Sequence, residues 1–428
     1  MSERKPIHRA SCAPDSRYSD SLRIRQSSSP FGVSTRLKYL RIAITGAYIC
    51  GILISPRLWF GLRRSFPRVP FVNGLPAFLS SADYLLSILL LIALAFSIIS
   101  KRPSRYLVAV VAVTLLLVLF DQTRLQPWVY QYVVMLASLA WLRPGEANPD
   151  NRENSALIIA ANQLIVAFLY FWSGTQKLNW TFANEVMPAL LESARIHLPA
   201  AFLAYLPVTA IGVAACEALI GLTLVIRKTR HTAVVLAVGM HLLVLLILML
   251  ARHNTVVWPW NIAMMITVVT LFWRFDLSLA RKELWRWQGS NLVSYLPKVV
   301  VVICGLAPAL SFFGWWDLYL SGALYSGNTP VAVVRISERV GGRLPEVAQQ
   351  QLFTTTHGEL ILPFHEWSLN DVNVPPYPAV RVHKRLARQL CGYADDPSEI
   401  ELIIRERPSL KDGSYLVSRA DCQQLSAR

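Results

Sequence analysis

A lysine at the end of a long apolar run is the residue best placed to do chemistry in this chain. Lys177 follows Tyr170-Phe171-Trp172 and the small pair Ser173-Gly174, within Leu164–Ala183. It stands in a polar cluster with Gln176, Asn179 and Trp180. At the edge of a bilayer a lysine is costly unless it snorkels, pairs or works. In a dry, partly apolar site the neutral form of a lysine becomes accessible, and a neutral amine is a usable base. Gln163, Tyr170 and Lys177 recur every seven residues and so share one helical stripe.

Other polar residues are candidates to join it. Asp121 and Arg124 end one apolar run and Asp83 begins another, so a cluster of Lys177, Asp121, Arg124 and Asp83 on one bilayer face is expected. Glu217 and His241 lie deeper, in consecutive apolar runs. Counting about 1.5 Å per residue from the loop between them puts both at roughly 14 Å depth. They are expected to touch near mid-bilayer. Such a pair is either a proton relay or a polar clamp between helices worth about 1 kcal/mol. His253-Asn254, with Trp258 and Trp260, reads as an interfacial belt. His357, His365 and His383 show no metal-ligand spacing, and no glycine-rich phosphate loop occurs.

The elements that must position these residues are apolar helices. The chain has 428 residues, 54% hydrophobic and only 16% charged, against about 25% charged in soluble proteins. Runs of about twenty apolar residues recur, each able to cross a hydrocarbon core of about 30 Å. The net charge of +16 sits largely in the N-terminal tail and beside apolar runs, where it orients the chain and meets anionic lipid. No nucleic-acid-reading motif accompanies it, so the expected partner is the lipid bilayer and not nucleic acid.

The fold class expected is an all-α polytopic membrane helix bundle of about nine spans with a small C-terminal α+β domain. Residues 1–35 are expected to form a disordered basic tail, without the apolar core of a secretory signal. Residues 36–313 hold the spans, and Arg281–Gly289, RKELWRWQG, suits a short interfacial helix. The positive-inside rule places the N-terminus in the cytoplasm and, with an odd span count, Lys177 and the C-terminal domain outside. The loop bearing Arg57, Arg63, Arg64 and Arg68 runs against that scheme.

Residues 314–428 differ in texture. Val331–Ile336, Glu359–Pro363, Ile400–Arg405 and Tyr415–Ser418 read as strands. Pro345–Phe353 and Ala379–Cys391 read as helices, with Val372–Pro378 held extended by its prolines. Cys391 and Cys422 pair if this region faces an oxidising compartment.

The stretch Tyr170–Phe182, YFWSGTQKLNWTF, resembles the horizontally transferred transmembrane domain (HTTM) family, the membrane part shared with vitamin K-dependent gamma-glutamyl carboxylases. Tyr170, Phe171, Ser173, Gly174, Lys177 and Leu178 match its pattern, while Gln176 stands where the family has a second lysine. The resemblance implies that Lys177 is the base that deprotonates a quinone-like lipid. The polar pattern with Glu217 and His241 also looks like DoxX-like proteins, which implies quinone or thiol redox work. The last 115 residues do not resemble the carboxylase's large lumenal part.

Three functions are consistent with these residues. The first is a membrane enzyme or redox protein of the bacterial plasma (inner) membrane, with Lys177, Glu217 and His241 catalytic. Gln163, Tyr170, Gln176, Asn179, Trp180, Asp121 and Arg124 would then line the substrate. The second is a non-catalytic scaffold whose C-terminal domain binds a protein partner. The third is a small-solute transporter using Glu217 and His241 as a proton path.

Overall fold

The computed structural model describes residues 32–72, 79–142, 149–252, 254–274 and 292–426. The basic tail up to residue 31, His253 and the expected interfacial helix Arg281–Gly289 lie outside the described residues.

The described chain is 69% helical. The main helices of the bundle are α1 (Val33–Ile54), α2 (Leu79–Ile99), α3 (Ser104–Phe120), α4 (Pro127–Leu139) and α5 (Pro149–Gln176). A short helix α6 (Met187–Ser193) precedes α7 (Leu206–Leu224), α8 (Arg230–Ala251) and α9 (Trp258–Phe272). Among the described residues seven helical stretches are long and apolar enough to cross a membrane: α1, α2, α5, α7, α8, α9 with its preceding turn, and Leu292–Phe313. The chain is therefore compatible with an integral membrane protein. Helix is the form such runs take, because backbone polar groups in lipid must be satisfied within their own segment. Of α5's apolar window 61% is buried, against 28% for α7 and for α8, so α5 is the bundle's central helix.

The packing of α7 on α5 depends on small residues. A Cβ on Gly174 would stand 2.3 Å from the Ala218 nitrogen and 2.6 Å from the Ala214 carbonyl. A Cβ on Gly221 would stand 2.5 Å from the Ala167 carbonyl and from the Phe171 nitrogen. Ala210, Ala214 and Ala218 continue this buried stripe on α7. Small residues let helix backbones approach this closely within a membrane.

The last apolar stretch is irregular. It winds as a 3-10 turn, a short α-helix, a π-helical turn over Val301–Leu306 and a 3-10 turn over Ala307–Phe313. Pro308, which has no N–H, sits at the change of winding. The Gly305 carbonyl accepts a hydrogen bond of 3.0 Å from Trp172 Nε1.

The C-terminal region builds a five-stranded antiparallel sheet in the order β2-β3-β1-β4-β5. The strands are β1 (Val331–Ile336), β2 (Phe353–Thr354), β3 (Leu360–Pro363), β4 (Ile400–Arg405) and β5 (Val417–Asp421). Helices α10 (Phe364–Val372) and α11 (Val380–Leu390) pack on it. Ala332, Val334 and Ile336 alternate inward along β1, and Val382, Leu386 and Leu390 face the core from α11. Cys391, just past α11, is disulfide-bonded to Cys422, just past β5. The expected helix Pro345–Phe353 is only Glu346–Gln349, because Phe353 joins the edge strand β2. The expected strand at Tyr415–Ser418 begins at Val417 and runs to Asp421.

This sheet domain is seated on one end of the bundle, and one hydrophobic core runs through both. Asp371 Oδ2 accepts from the Ser65 and Phe66 N–H groups at 2.7 and 2.6 Å, and Arg57 bonds its other oxygen at 2.9 Å. Gln126 Nε2 donates to the Pro375 carbonyl at 3.0 Å. Trp180 N–H donates to the Leu410 carbonyl at 3.0 Å, so the end of α5 lies on this same face.

Candidate functional site

Helix α5 ends at Gln176, and the Lys177 N–H closes a turn on the Gly174 carbonyl at 3.0 Å. The close contact of Gly174 with Ala218 brings the neighbouring Glu217 alongside. Lys177 Nζ lies 2.8 Å from Glu217 Oε2 and 3.0 Å from Oε1. It also donates to Ser173 Oγ at 2.7 Å. The two side chains are 13% and 12% exposed, so the pair is reachable without opening the bundle.

Glu217 was expected against His241, and the structure pairs them differently. Glu217 is held by Lys177, whereas His241 Nε2 lies 2.7 Å from the Tyr170 hydroxyl and Nδ1 lies 2.8 Å from Asn261 Oδ1. Asn261 donates its Nδ2 to the Val257 carbonyl at 2.9 Å, which turns Oδ1 toward the ring. Nδ1 therefore carries the proton, and Nε2 accepts from Tyr170. The expected pairing does not form because α5 supplies each residue with another partner, Lys177 for Glu217 and Tyr170 for His241.

The stripe of Gln163, Tyr170 and Lys177 meets three helices in turn. Gln163 Nε2 donates to the Leu271 carbonyl of α9 at 2.6 Å, Tyr170 reaches α8, and Lys177 reaches α7. Gln163 is fourteen positions from Lys177, about 21 Å along the helix, and belongs to a different neighbourhood.

The expected cluster of Lys177 with Asp121, Arg124 and Asp83 does not form. Asp121 pairs with Arg64 at 2.5 Å and accepts from the Thr123 N–H at 3.1 Å. Arg124 spans Asp83, with Nη1 2.9 Å from Oδ1 and Nη2 2.7 Å from Oδ2, and Arg68 Nε lies 2.8 Å from the same Oδ2. Arg124 also donates to the Leu58 and Leu117 carbonyls at 3.1 and 2.9 Å. These residues share a face of the bundle with Lys177 but pair with the Arg57–Arg68 loop, whose arginines lie closer.

Three polar neighbours of Lys177 join the bundle to the C-terminal domain. Gln176 is buried, donating to Ser311 Oγ at 2.9 Å and accepting from Asn328 Nδ2 at 2.6 Å. Asn179 donates to the Gln176 and Ser326 carbonyls at 2.8 Å and accepts from the Phe182 N–H at 2.8 Å. The Trp180 ring packs on Gly413, where a Cβ would come within 2.2 Å. Sequence reasoning missed Ser173 and Asn261 as partners. Asn261, a lone amide in the apolar run of α9, carried the available signal.

The arrangement offers an acid–base pair beside a neutral hydroxyl–imidazole–amide chain. Among the described residues no three His, Cys, Asp or Glu side chains converge as a metal would need. No family model matches the chain, and neither a curated protein nor a solved structure matches it.

Proposed function

We propose that this is an integral membrane protein whose Lys177–Glu217 pair takes a proton from the hydroxyl of a quinone-like lipid. The observation that carries the reading is the partly exposed contact of 2.8 Å between Lys177 Nζ and Glu217 Oε2. A proton passing along it from ammonium to carboxylate leaves a neutral amine beside a carboxylic acid. The amine then accepts the substrate proton, and the pair gains one positive charge until a proton leaves. Ser173 Oγ holds the amine in place throughout. The resemblance of Tyr170–Phe182 to the HTTM pattern supports the same base.

The topology we propose has nine spans, counting α3 and α4, with the N-terminus cytoplasmic and the C-terminal domain outside a bacterial plasma membrane. Two observations support it. The Cys391–Cys422 disulfide suits an oxidising compartment. The basic loop that opposed this orientation has Arg57, Arg64 and Arg68 paired with Asp371, Asp121 and Asp83, so much of its charge is neutralised.

The test compares wild type, Lys177→Arg and Lys177→Ala at equal membrane abundance. Quinone carried by the purified protein is read by absorbance and mass spectrometry, and turnover of added hydroquinone, with dioxygen supplied as the electron acceptor, by the spectrum of the quinone formed. Arginine keeps the ion pair but does not release its proton. Loss of turnover in both variants is expected. Wild-type turnover in Lys177→Arg removes the base role and leaves the pair as a helix clamp in a membrane scaffold.

A further inference from the structure

A cavity of about 500 Å³ lies between the C-terminal domain and the segment that follows α5. Glu185, Ala189 and Leu190 form one wall, and Tyr325, His383 and Tyr415 belong to the other. The volume is in the range of small-molecule sites, roughly 300–1,000 Å³. Most of the lining is apolar, and the ring faces of tyrosines and of the prolines at 375, 376 and 378 supply much of it. Lys177 and Glu217 do not line this space, so it is distinct from the ion-pair site.

His383 is the group that marks it. The residue is 2% exposed, its ring lies nearly parallel to that of Phe364, and it borders the cavity. Neither ring nitrogen makes a hydrogen bond of normal geometry within the protein. The Pro330 carbonyl approaches one of them, which still leaves the other unserved. Burial, with His365 nearby, pushes the imidazole down to about 4, so the ring is neutral at pH 7 and offers one donor and one acceptor. Buried polar groups are nearly always paired, and an orphan beside an empty volume calls for a partner.

The charges at the edge restrict what that partner is. Glu185 and Glu406 face an anion with two carboxylates. Arg405, stacked 3.9 Å over the Tyr415 ring, and His365 stand against a cation. Tyrosine and proline walls with few unpartnered polar groups, His383 and Thr181 Oγ1, favour a flat ligand of low polarity.

We propose that this cavity binds an uncharged, planar ring compound bearing a hydroxyl group, which donates to the open acceptor nitrogen of His383 while its ring lies against the tyrosine and proline side chains. The inference does not rest on Lys177 being a base.

The experiment uses the full chain in detergent and 4-fluoro-1-naphthol, followed by fluorine NMR, with 1-fluoronaphthalene as the probe lacking the hydroxyl. Wild type is expected to bind the naphthol saturably. Ala189→Trp, on an exposed face of α6, fills the cavity without touching the core and should abolish the saturable signal. His383→Phe should weaken naphthol binding at least ten-fold, and 1-fluoronaphthalene should bind wild type at least ten-fold more weakly than the naphthol does. Lys177→Arg should leave binding unchanged, which separates this result from the fate of the base hypothesis. Equal partitioning of the naphthol into wild type and Ala189→Trp overturns the proposal. So does equal affinity of wild type for the two probes, a comparison that holds even if His383→Phe fails to fold.

Discussion

Two sets of buried charges stand at the same end of the bundle and are built differently. Around Asp83 and Asp121, Arg64 and Arg124 are tied both to carboxylates and to backbone carbonyls of residues 58–67 and α3, and Arg68 adds a second contact to Asp83. Arg124 and both aspartates are almost wholly removed from solvent. The Lys177–Glu217 pair has one extra side-chain partner, Ser173, and keeps both members partly exposed. In the first set, moving any proton or side chain frees backbone groups and unravels a loop. In the second, the backbone contact of Lys177 Nζ is a long one, to the Ser173 carbonyl at 3.4 Å within α5, and no loop hangs on it. The first is suited to holding shape, the second to chemistry.

Truncating the first set should have the largest effect. Arg124→Ala leaves Asp83 with Arg68 as its remaining countercharge and strips the Leu58 and Leu117 carbonyls of a donor, and breaking a buried pair from one side costs about 3–5 kcal/mol. A large fall in the melting temperature of the detergent-solubilised protein checks it, and a loss under about 1 kcal/mol would mean that the network is not structural.

His383 provides a buried group with no countercharge. Its folded-state value of about 4 lies below the ordinary 6.5. The unfolded chain therefore binds the extra proton first as pH falls. The stabilisation from keeping this ring neutral is full above pH 6.5 and is lost on acidification toward pH 4, by on the order of 3 kcal/mol. Melting curves from pH 7.5 to 4 for wild type and His383→Phe measure it. A wild-type pH slope as shallow as the variant's would refute it.

Gly174→Ala is expected to cost about 1–3 kcal/mol, because its Cβ meets the backbone of α7 and not a movable side chain. It should also pull Glu217 away from Lys177. Turnover ought to drop further than stability does, and an unchanged turnover would separate the helix contact from the site.

The smallest stability effect belongs to the pair itself. Lys177→Met with Glu217→Gln removes both charges together, and such paired replacement is often close to neutral, within about 1 kcal/mol. Turnover should nevertheless vanish. A double variant destabilised as strongly as Arg124→Ala would erase the contrast between the two sets.

The sequence exposed most of the scaffold and only half of the site. Long apolar runs announce helices whatever their neighbours, and Val331–Ile336 and Ile400–Arg405 alternate clearly enough to give their own ends. Helix α10 was missed although Phe364, Trp367, Ser368, Asp371 and Val372 show helical spacing, because the apolar signal is short and follows a strand directly. Tyr170, Lys177, Glu217 and His241 each stood out as polar groups in apolar surroundings. Who meets whom was not legible. That is set by the Gly174–Ala218 and Gly221–Ala167 approaches, which fix how deep α7 sits against α5. Depth counted from loops cannot resolve such an offset.

The Asp371 contact has a bearing on biogenesis. The Ser65 and Phe66 N–H groups belong to the first loop after α1, yet their acceptor is translated about 300 residues later. The loop carrying Arg57, Arg64 and Arg68 must wait through membrane insertion for its lock, with its backbone donors served by water. A ribosome stalled before Asp371 would hold a bundle whose first loop is open to protease. Release of the finished chain would close it, making late protection of this early segment the signature of completed assembly.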